Sequence, residues 1–259
     1  MDQVNDARQV KNQYEKADNL KIRISLHRKY STNKQPFGQW IFDQYDLREN
    51  MRILEVGCGD GSMWKDADEK LPRGASLLLT DFSAGMLEEA KRNVQGEKVS
   101  FLQADIQHLP FENESFDAVM GNMMLYHVPD IHLGLSEVFR VMKKGGVFYA
   151  ATYGENGITD YLQELLSVYG VTKTMNKSFT LQNGEKQLRL CFEHVNLRTR
   201  PDSLEVTDAE DLLDYIFSMT AMMGAKDVDR AVLRAVILDR MVDGVIHIPK
   251  EYGMFVCYK

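Results

Sequence analysis

Short apolar runs alternate with stretches of helical spacing across residues 52–152. The runs at 52–56, 76–80, 99–103, 116–121 and 146–151 are short and rich in Val, Leu, Ile and Phe, so they predict strands. Between them, 63–71, 84–93 and 131–142 carry apolar residues at helical intervals. Strand–helix alternation of this kind builds βαβ units, and hence an α/β fold with a doubly wound, mostly parallel sheet. Right-handed crossovers then gather the strand C-termini, and any ligand, along one edge. After the fifth strand the pattern changes. Residues 159–169 look helical, and 192–206 suggest a strand pair about the turn Arg200-Pro201-Asp202. Thr207-Asp208-Ala209-Glu210 is a capping-box signature opening a helix with Leu212, Leu213, Ile216 and Phe217 on its apolar face, interrupted at Gly224. A second amphipathic helix follows (Val228, Val232, Leu233, Val236, Ile237), then a final strand at 253–258. The two helices form a candidate lid at about 207–243, inserted before the last strand. Residues 1–49 are expected to be a helical arm or cap, and 50–259 the main domain.

The first strand runs into Glu55-Val56-Gly57-Cys58-Gly59-Asp60-Gly61-Ser62. Glycines at every second position predict a tight strand-to-helix turn where the backbone can approach a bulky ligand without a Cβ clash. A dinucleotide fold wants its third glycine at position 62, which is Ser here. The second strand ends in Thr80-Asp81-Phe82-Ser83, placing a carboxylate about 20 residues beyond the turn. An ionised acid takes two hydroxyls side by side, so Asp81 is the candidate ribose ligand. Its alternative role is the N-cap of the next helix. Met86 on that helix is placed to pack against an adenine face. The third strand ends in Gln103-Ala104-Asp105-Ile106, where an acid can accept an exocyclic amine and the Ile106 amide can donate to a ring nitrogen. Acids at three successive strand ends (Glu55, Asp81, Asp105) form a coherent set.

The fourth strand reads Phe116-Asp117-Ala118-Val119, continues to Asn122-Met123-Met124-Leu125-Tyr126-His127-Val128-Pro129-Asp130, and leads on to Met142-Lys143-Lys144-Gly145-Gly146. With these motifs in order, residues 50–152 resemble a class I S-adenosylmethionine-dependent methyltransferase of the small-molecule group that includes quinone-biosynthesis enzymes. Lys144, where that family often has proline, is a departure in turn rigidity only. The resemblance implies a Rossmann-like seven-stranded sheet and S-adenosylmethionine as cofactor. It further implies cofactor-site roles for Gly57, Gly59, Asp81, Asp105, Ile106 and Asn122, with Glu55 orienting the glycine loop. Cys58, Phe82, Met86 and Ala104 are placed with them as neighbours. Asn122-Met123-Met124-Leu125 stands where amide- and base-methylating branches carry an N-P-P-Y-like tetrad, which disfavours methylation of a base amine. Tyr126 and His127 are candidate catalytic residues: histidine is the usual general base near neutral pH. The same pair also fits a structural or cofactor-contacting role. Tyr30, Met123 and His127 are candidates for the substrate pocket, with the ordinary reading of Tyr30 a helix side chain in the core.

Composition narrows the picture modestly. The 259 residues carry a net charge of −7, which argues mildly against a nucleic-acid partner. Residues 1–34 run the other way, with eight Lys/Arg against four acids. Such an arm can clamp an anionic substrate, and as readily forms a solvated helix face. No window approaches the roughly 20 apolar residues of a membrane helix, and the N-terminus lacks a secretory pattern. The three cysteines have no metal-ligand spacing and are expected to be reduced thiols in a cytoplasmic protein. No metal is expected. Fourteen methionines fit either a malleable apolar pocket or ordinary core. A small-molecule acceptor is the expected partner, and a monomer or homodimer the expected state. The competing readings are a non-catalytic S-adenosylmethionine-binding regulatory module and, against Ser62, an NAD-dependent oxidoreductase. The acceptor and its atom stay open at this level.

Overall fold

The computed structural model describes residues 19, 21–169, 176–223 and 228–259. Seven strands form one sheet: β1 (Arg52–Val56), β2 (Ser76–Asp81), β3 (Val99–Gln103), β4 (Phe116–Asn122), β5 (Met142–Tyr153), β6 (His194–Val206) and β7 (Ile246–Tyr258), in the order β3-β2-β1-β4-β5-β7-β6. The pairs from β3 to β5 are parallel and β7 is antiparallel to β5. Order reverses at β1, so the C-terminal ends of β1 and β4 flank the crevice where doubly wound folds bind ligands. The helices are α1 (21–30), α2 (Phe37–Phe42), α3 (Ala67–Lys70), α4 (Ala84–Asn93), α5 (Ile131–Val141), α6 (Ile158–Leu166), α7 (Gly184–Leu188), α8 (Ala209–Met223) and α9 (Arg230–Arg240). None of the described helices is long and apolar enough to cross a membrane.

Three local expectations change. The helix expected over 63–71 is a 3-10 turn, Ser62–Trp64, followed by the short α3, because Asp66 sits at φ 65° and breaks the run. The strand pair expected at 192–206 is the single strand β6, which passes straight through Pro201. β6 ends the sheet order, and an edge strand tolerates a residue with no N–H. At the start of α8, Asp208 rather than Thr207 does the capping, its Oδ1 accepting the Glu210 amide at 2.9 Å. The proposed interruption at Gly224, and the side chains of Met222 and Met223, lie outside the described residues.

The chain divides into two compact units. One comprises 35–155, 176–200 and 252–259. Its central strands bury both faces, with Ile53, Ala118, Met120 and Val256 on one side and Leu54, Val119, Phe148 and Phe255 on the other. This alternation is the period of two expected of a strand covered on both faces. The other unit takes its described residues from 19–34, 156–169, 201–223 and 228–251. Leu26, Leu162, Leu204, Leu213 and Ile237 form its own core. Within it, Lys250 is buried against the buried carboxylate of Asp202 and donates to Ser31 Oγ at 2.8 Å, so the buried charge is paired.

Candidate functional site

The glycine loop leaves β1 with Gly57, Gly59 and Gly61 at φ 67°, 58° and 69°, all left-handed. The three have different neighbours. A Cβ on Gly57 would lie 2.8 Å from the Met124 side chain, and one on Gly61 would lie 2.7 Å from Val94 Cγ2 and 3.1 Å from Ala90 Cβ. At Gly59 it would meet nothing within 4 Å. Gly57 and Gly61 therefore serve close packing, while Gly59 faces open space.

Asp81, at the end of the neighbouring strand β2, holds this loop. Its Oδ2 accepts the Gly59 amide at 2.9 Å and its Oδ1 the Ser83 amide at 2.8 Å. Each oxygen keeps a further lone pair for a ligand hydroxyl. The N-cap of α4 is Ser83, whose Oγ accepts the Met86 amide at 3.3 Å, so Asp81 is released from that role.

A cavity of about 480 Å³ opens beside the loop. Of the residues singled out in the sequence, Gly57, Gly59, Asp81, Phe82, Met86, Ala104, Asp105, Ile106, Met123 and His127 line it. Val56, Gln107, Met124, Val128 and Pro129 line it too. Of these, Gln107 had a legible signal, a polar side chain two residues beyond a strand-end acid. Glu55, Cys58, Asn122 and Tyr126 are not in the lining. Tyr30 belongs to the other unit, where it is buried and its hydroxyl donates to Asp211.

Glu55 and Asn122 stand behind the loop. The buried Glu55 carboxylate accepts from Trp64 Nε1 and, at 2.7 Å, from Asn122 Nδ2, which also lies 2.7 Å from the Tyr45 hydroxyl. Burial raises Glu55 to about 7; the hydrogen bonds from Asn122 and Trp64 oppose that rise, and the charge of Asp81 adds to it. Burial likewise holds the Tyr45 phenol well above its ordinary value. Asn122 Oδ1 is buried with no hydrogen-bond partner among the described residues. Cys58 packs its side chain toward the core, and burial pushes its thiol up.

Beyond the end of β3, Asp105 is held by its own turn. Oδ1 accepts the Gln107 amide at 2.9 Å, and Gln107 Nε2 lies 3.1 Å from both carboxylate oxygens. Across the cavity, β4 ends at Asn122 and Met123 takes φ 55°, an uncommon conformation for a side-chain-bearing residue. It is pinned there by its amide donating to Ala151 O at 2.9 Å. The 3-10 turn Leu125–His127 follows. The Tyr126 ring packs 4.5 Å from both His127 and Tyr153, and its carbonyl accepts from Ser178 Oγ at 2.9 Å. Burial, with Tyr153 and Tyr252 nearby, raises the Tyr126 phenol, so it stays protonated at neutral pH. Among the described residues no group of three or more His, Cys, Asp or Glu is placed to hold a metal ion.

Residues 54–150 match the family model described as a methyltransferase domain. A Bacillus subtilis protein named as a methyltransferase, YrhH, is 30% identical over 138 residues, covering 52% of this chain and 74% of that one. Demethylmenaquinone methyltransferase from Clavibacter sepedonicus is 40% identical over 96 residues, covering 37% and 38%. Phosphoethanolamine N-methyltransferase 2 from Haemonchus contortus, solved with S-adenosylhomocysteine, superposes with a TM-score of 0.56 at 18% identity. The superposition covers 96% of this chain and 58% of that chain, and shares the fold. The chain spans 38% to 57% of the length of several curated relatives it matches.

Proposed function

The chain belongs to the class I S-adenosylmethionine-dependent methyltransferases, and on that premise we propose that it transfers a methyl group to a small-molecule acceptor by in-line displacement. One observation carries this reading: Gly59 presents bare backbone to the cavity while its amide is held by Asp81 from the next strand. That cradle fits the cofactor. A Cβ at Gly59 would occupy it, Asp81 has spare lone pairs for two hydroxyls, and Asp105 and Ile106 line the far end with an acid and an apolar wall.

When bound, S-adenosylmethionine supplies a methyl group on a cationic sulfur, with a neutral thioether as leaving group. The task left to the protein is alignment, and positioning contributes about 7–11 kcal/mol when reacting atoms are held in attack geometry. Asp81 and Gly59 would hold the ribose end, Asp105 and Ile106 the adenine, with Phe82 and Met86 lining the same cavity. Glu55 acts indirectly, fixing Trp64 and Asn122 behind the loop. Met123 and His127 line the side nearest β4 and meet the acceptor. His127 is the only imidazole in the described lining, which makes it the side chain placed to take a proton from an acceptor that must lose one. Tyr126 orients His127 by ring contact.

The test is calorimetric titration with S-adenosylmethionine, S-adenosylhomocysteine and NADH, followed by a screen of small-molecule acceptors for S-adenosylhomocysteine formation. Micromolar binding of the first two, none of NADH, and turnover with an acceptor are expected. Binding without turnover across oxygen, nitrogen, carbon and sulfur acceptors would favour the regulatory module. Absence of binding would sink the cofactor site.

A further inference from the structure

Gln107 has no part in the reading above, yet its carboxamide is engaged at both ends. Nε2 lies 3.1 Å from each oxygen of Asp105, and Oε1 accepts the Asp130 amide at 3.0 Å. Asp130 in turn caps α5, its Oδ1 accepting the Leu133 amide at 3.0 Å. One side chain thus joins the acid after β3 to the segment after β4 that carries Met123, His127 and Pro129, and all of these except Asp130 line the same cavity.

A carboxylate turns easily about its last torsion, because sp³–sp² wells are broad. An amide N–H laid across both oxygens removes that freedom; with Oδ1 also accepting the Gln107 backbone amide, a lone pair on Oδ2 is left for an incoming donor. We propose that Gln107 is a positioning residue for base recognition: it sets the plane of Asp105 to accept an exocyclic amine and ties that acid to the segment bearing His127. The proposal rests on the cavity being the S-adenosylmethionine site. It assigns to Gln107 the strength of the cavity's preference for a 6-amino over a 6-oxo purine, because a carbonyl oxygen would face the oriented carboxylate with no proton between them.

Gln107→Glu keeps the shape and the acceptor for Asp130 but sets carboxylate against carboxylate. Gln107→Met removes donor and acceptor together. Both are made in the full chain, checked for folding by circular dichroism, and titrated with S-adenosylhomocysteine and its 6-oxo analogue, S-inosylhomocysteine, at pH 5 and pH 8. Wild type is expected to favour the amine tenfold or more. Gln107→Glu is expected to lose tenfold or more in affinity at pH 8 and to recover on acidification, as two facing carboxyls come to share a proton. Gln107→Met is expected to bind weakly at both pH values with its discrimination narrowed. His108, whose Nδ1 is 4.0 Å from Asp105 Oδ2, together with Asp130, Asp81 and the nearby Glu137–Arg140 pair, is common to all three proteins, so only differences from wild type are read. Variants that match wild type in affinity, discrimination and pH response would overturn the proposal. So would a uniform loss of affinity with discrimination intact and no acid recovery, the mark of a merely structural role. Failure of wild type to bind either ligand would instead strike the cofactor reading beneath it.

Discussion

Replacing Gly59 and Gly61 by alanine separates two roles that the sequence presents as one motif. Both positions are left-handed, at φ 58° and 69°, and an L side chain there costs about 1–2 kcal/mol. At Gly59 that is the whole folding cost, since the new methyl meets nothing within 4 Å. At Gly61 the methyl would press on Val94 at 2.7 Å and Ala90 at 3.1 Å, a clash against α4 and the residue that ends it. Overpacking of that kind adds about 1–3 kcal/mol, for a total of roughly 2–5 kcal/mol at Gly61. Binding should run in the opposite order. The Gly59 methyl enters the cavity and should weaken S-adenosylhomocysteine about ten- to a hundredfold, as about 1.4 kcal/mol is lost per factor of ten. Gly61→Ala should bind within a few-fold of wild type at a temperature where it is folded. Denaturant melts read the first effect and calorimetry the second. Gly59→Ala binding as tightly as wild type would refute the placement of the cofactor over that glycine. Gly61→Ala as stable as Gly59→Ala would refute the packing assignment.

Glu55 makes stability depend on pH. Its value when folded, about 7, exceeds the ordinary 4.5, so between those values the native state keeps a proton the unfolded chain has released. Its contribution is full below about pH 4.5 and falls as pH rises to about 7, by about 3 kcal/mol in all. Glu55→Gln should remove that slope, and identical pH–stability curves for the two proteins would refute it. Asp81→Ala should weaken both S-adenosylmethionine and S-adenosylhomocysteine about ten- to a hundredfold in calorimetry, since a hydrogen bond to a charged group is worth about 1.5–3 kcal/mol; unchanged affinity would take the ribose away from Asp81. With an acceptor in hand, His127→Ala should lower kcat about 10²- to 10⁴-fold, while Tyr126→Phe should stay within a few-fold because the phenol remains protonated. A fully active His127→Ala would leave transfer to positioning alone.

The βαβ core was legible because its strands are covered on both faces and its helices on one, so periodicity alone marks them. Elements whose form depends on partners were not. Nothing local distinguishes a strand pair at 192–206 from one long strand through Pro201; the place of β6 at the end of the sheet decides it. The helix expected at 63–71 yielded to a left-handed Asp66 that periodicity does not register.

For the site, chain order alone determined the glycine turn and the acids after β2 and β3, because each ends a strand and parallel strands bring their ends to one edge. Only the tertiary structure decided which of them face ligand and which face protein. Glu55 and Asn122 turn inward toward Trp64 and Tyr45, and Gly61 meets α4. Gln107, marked in the sequence only as a polar residue two beyond a strand-end acid, bridges Asp105 to the segment after β4. The reason is physical: a motif records where backbone must bend and which groups carry charge. A side chain's direction is set by neighbours as far as 77 residues away, which only the packed sheet brings within hydrogen-bond reach.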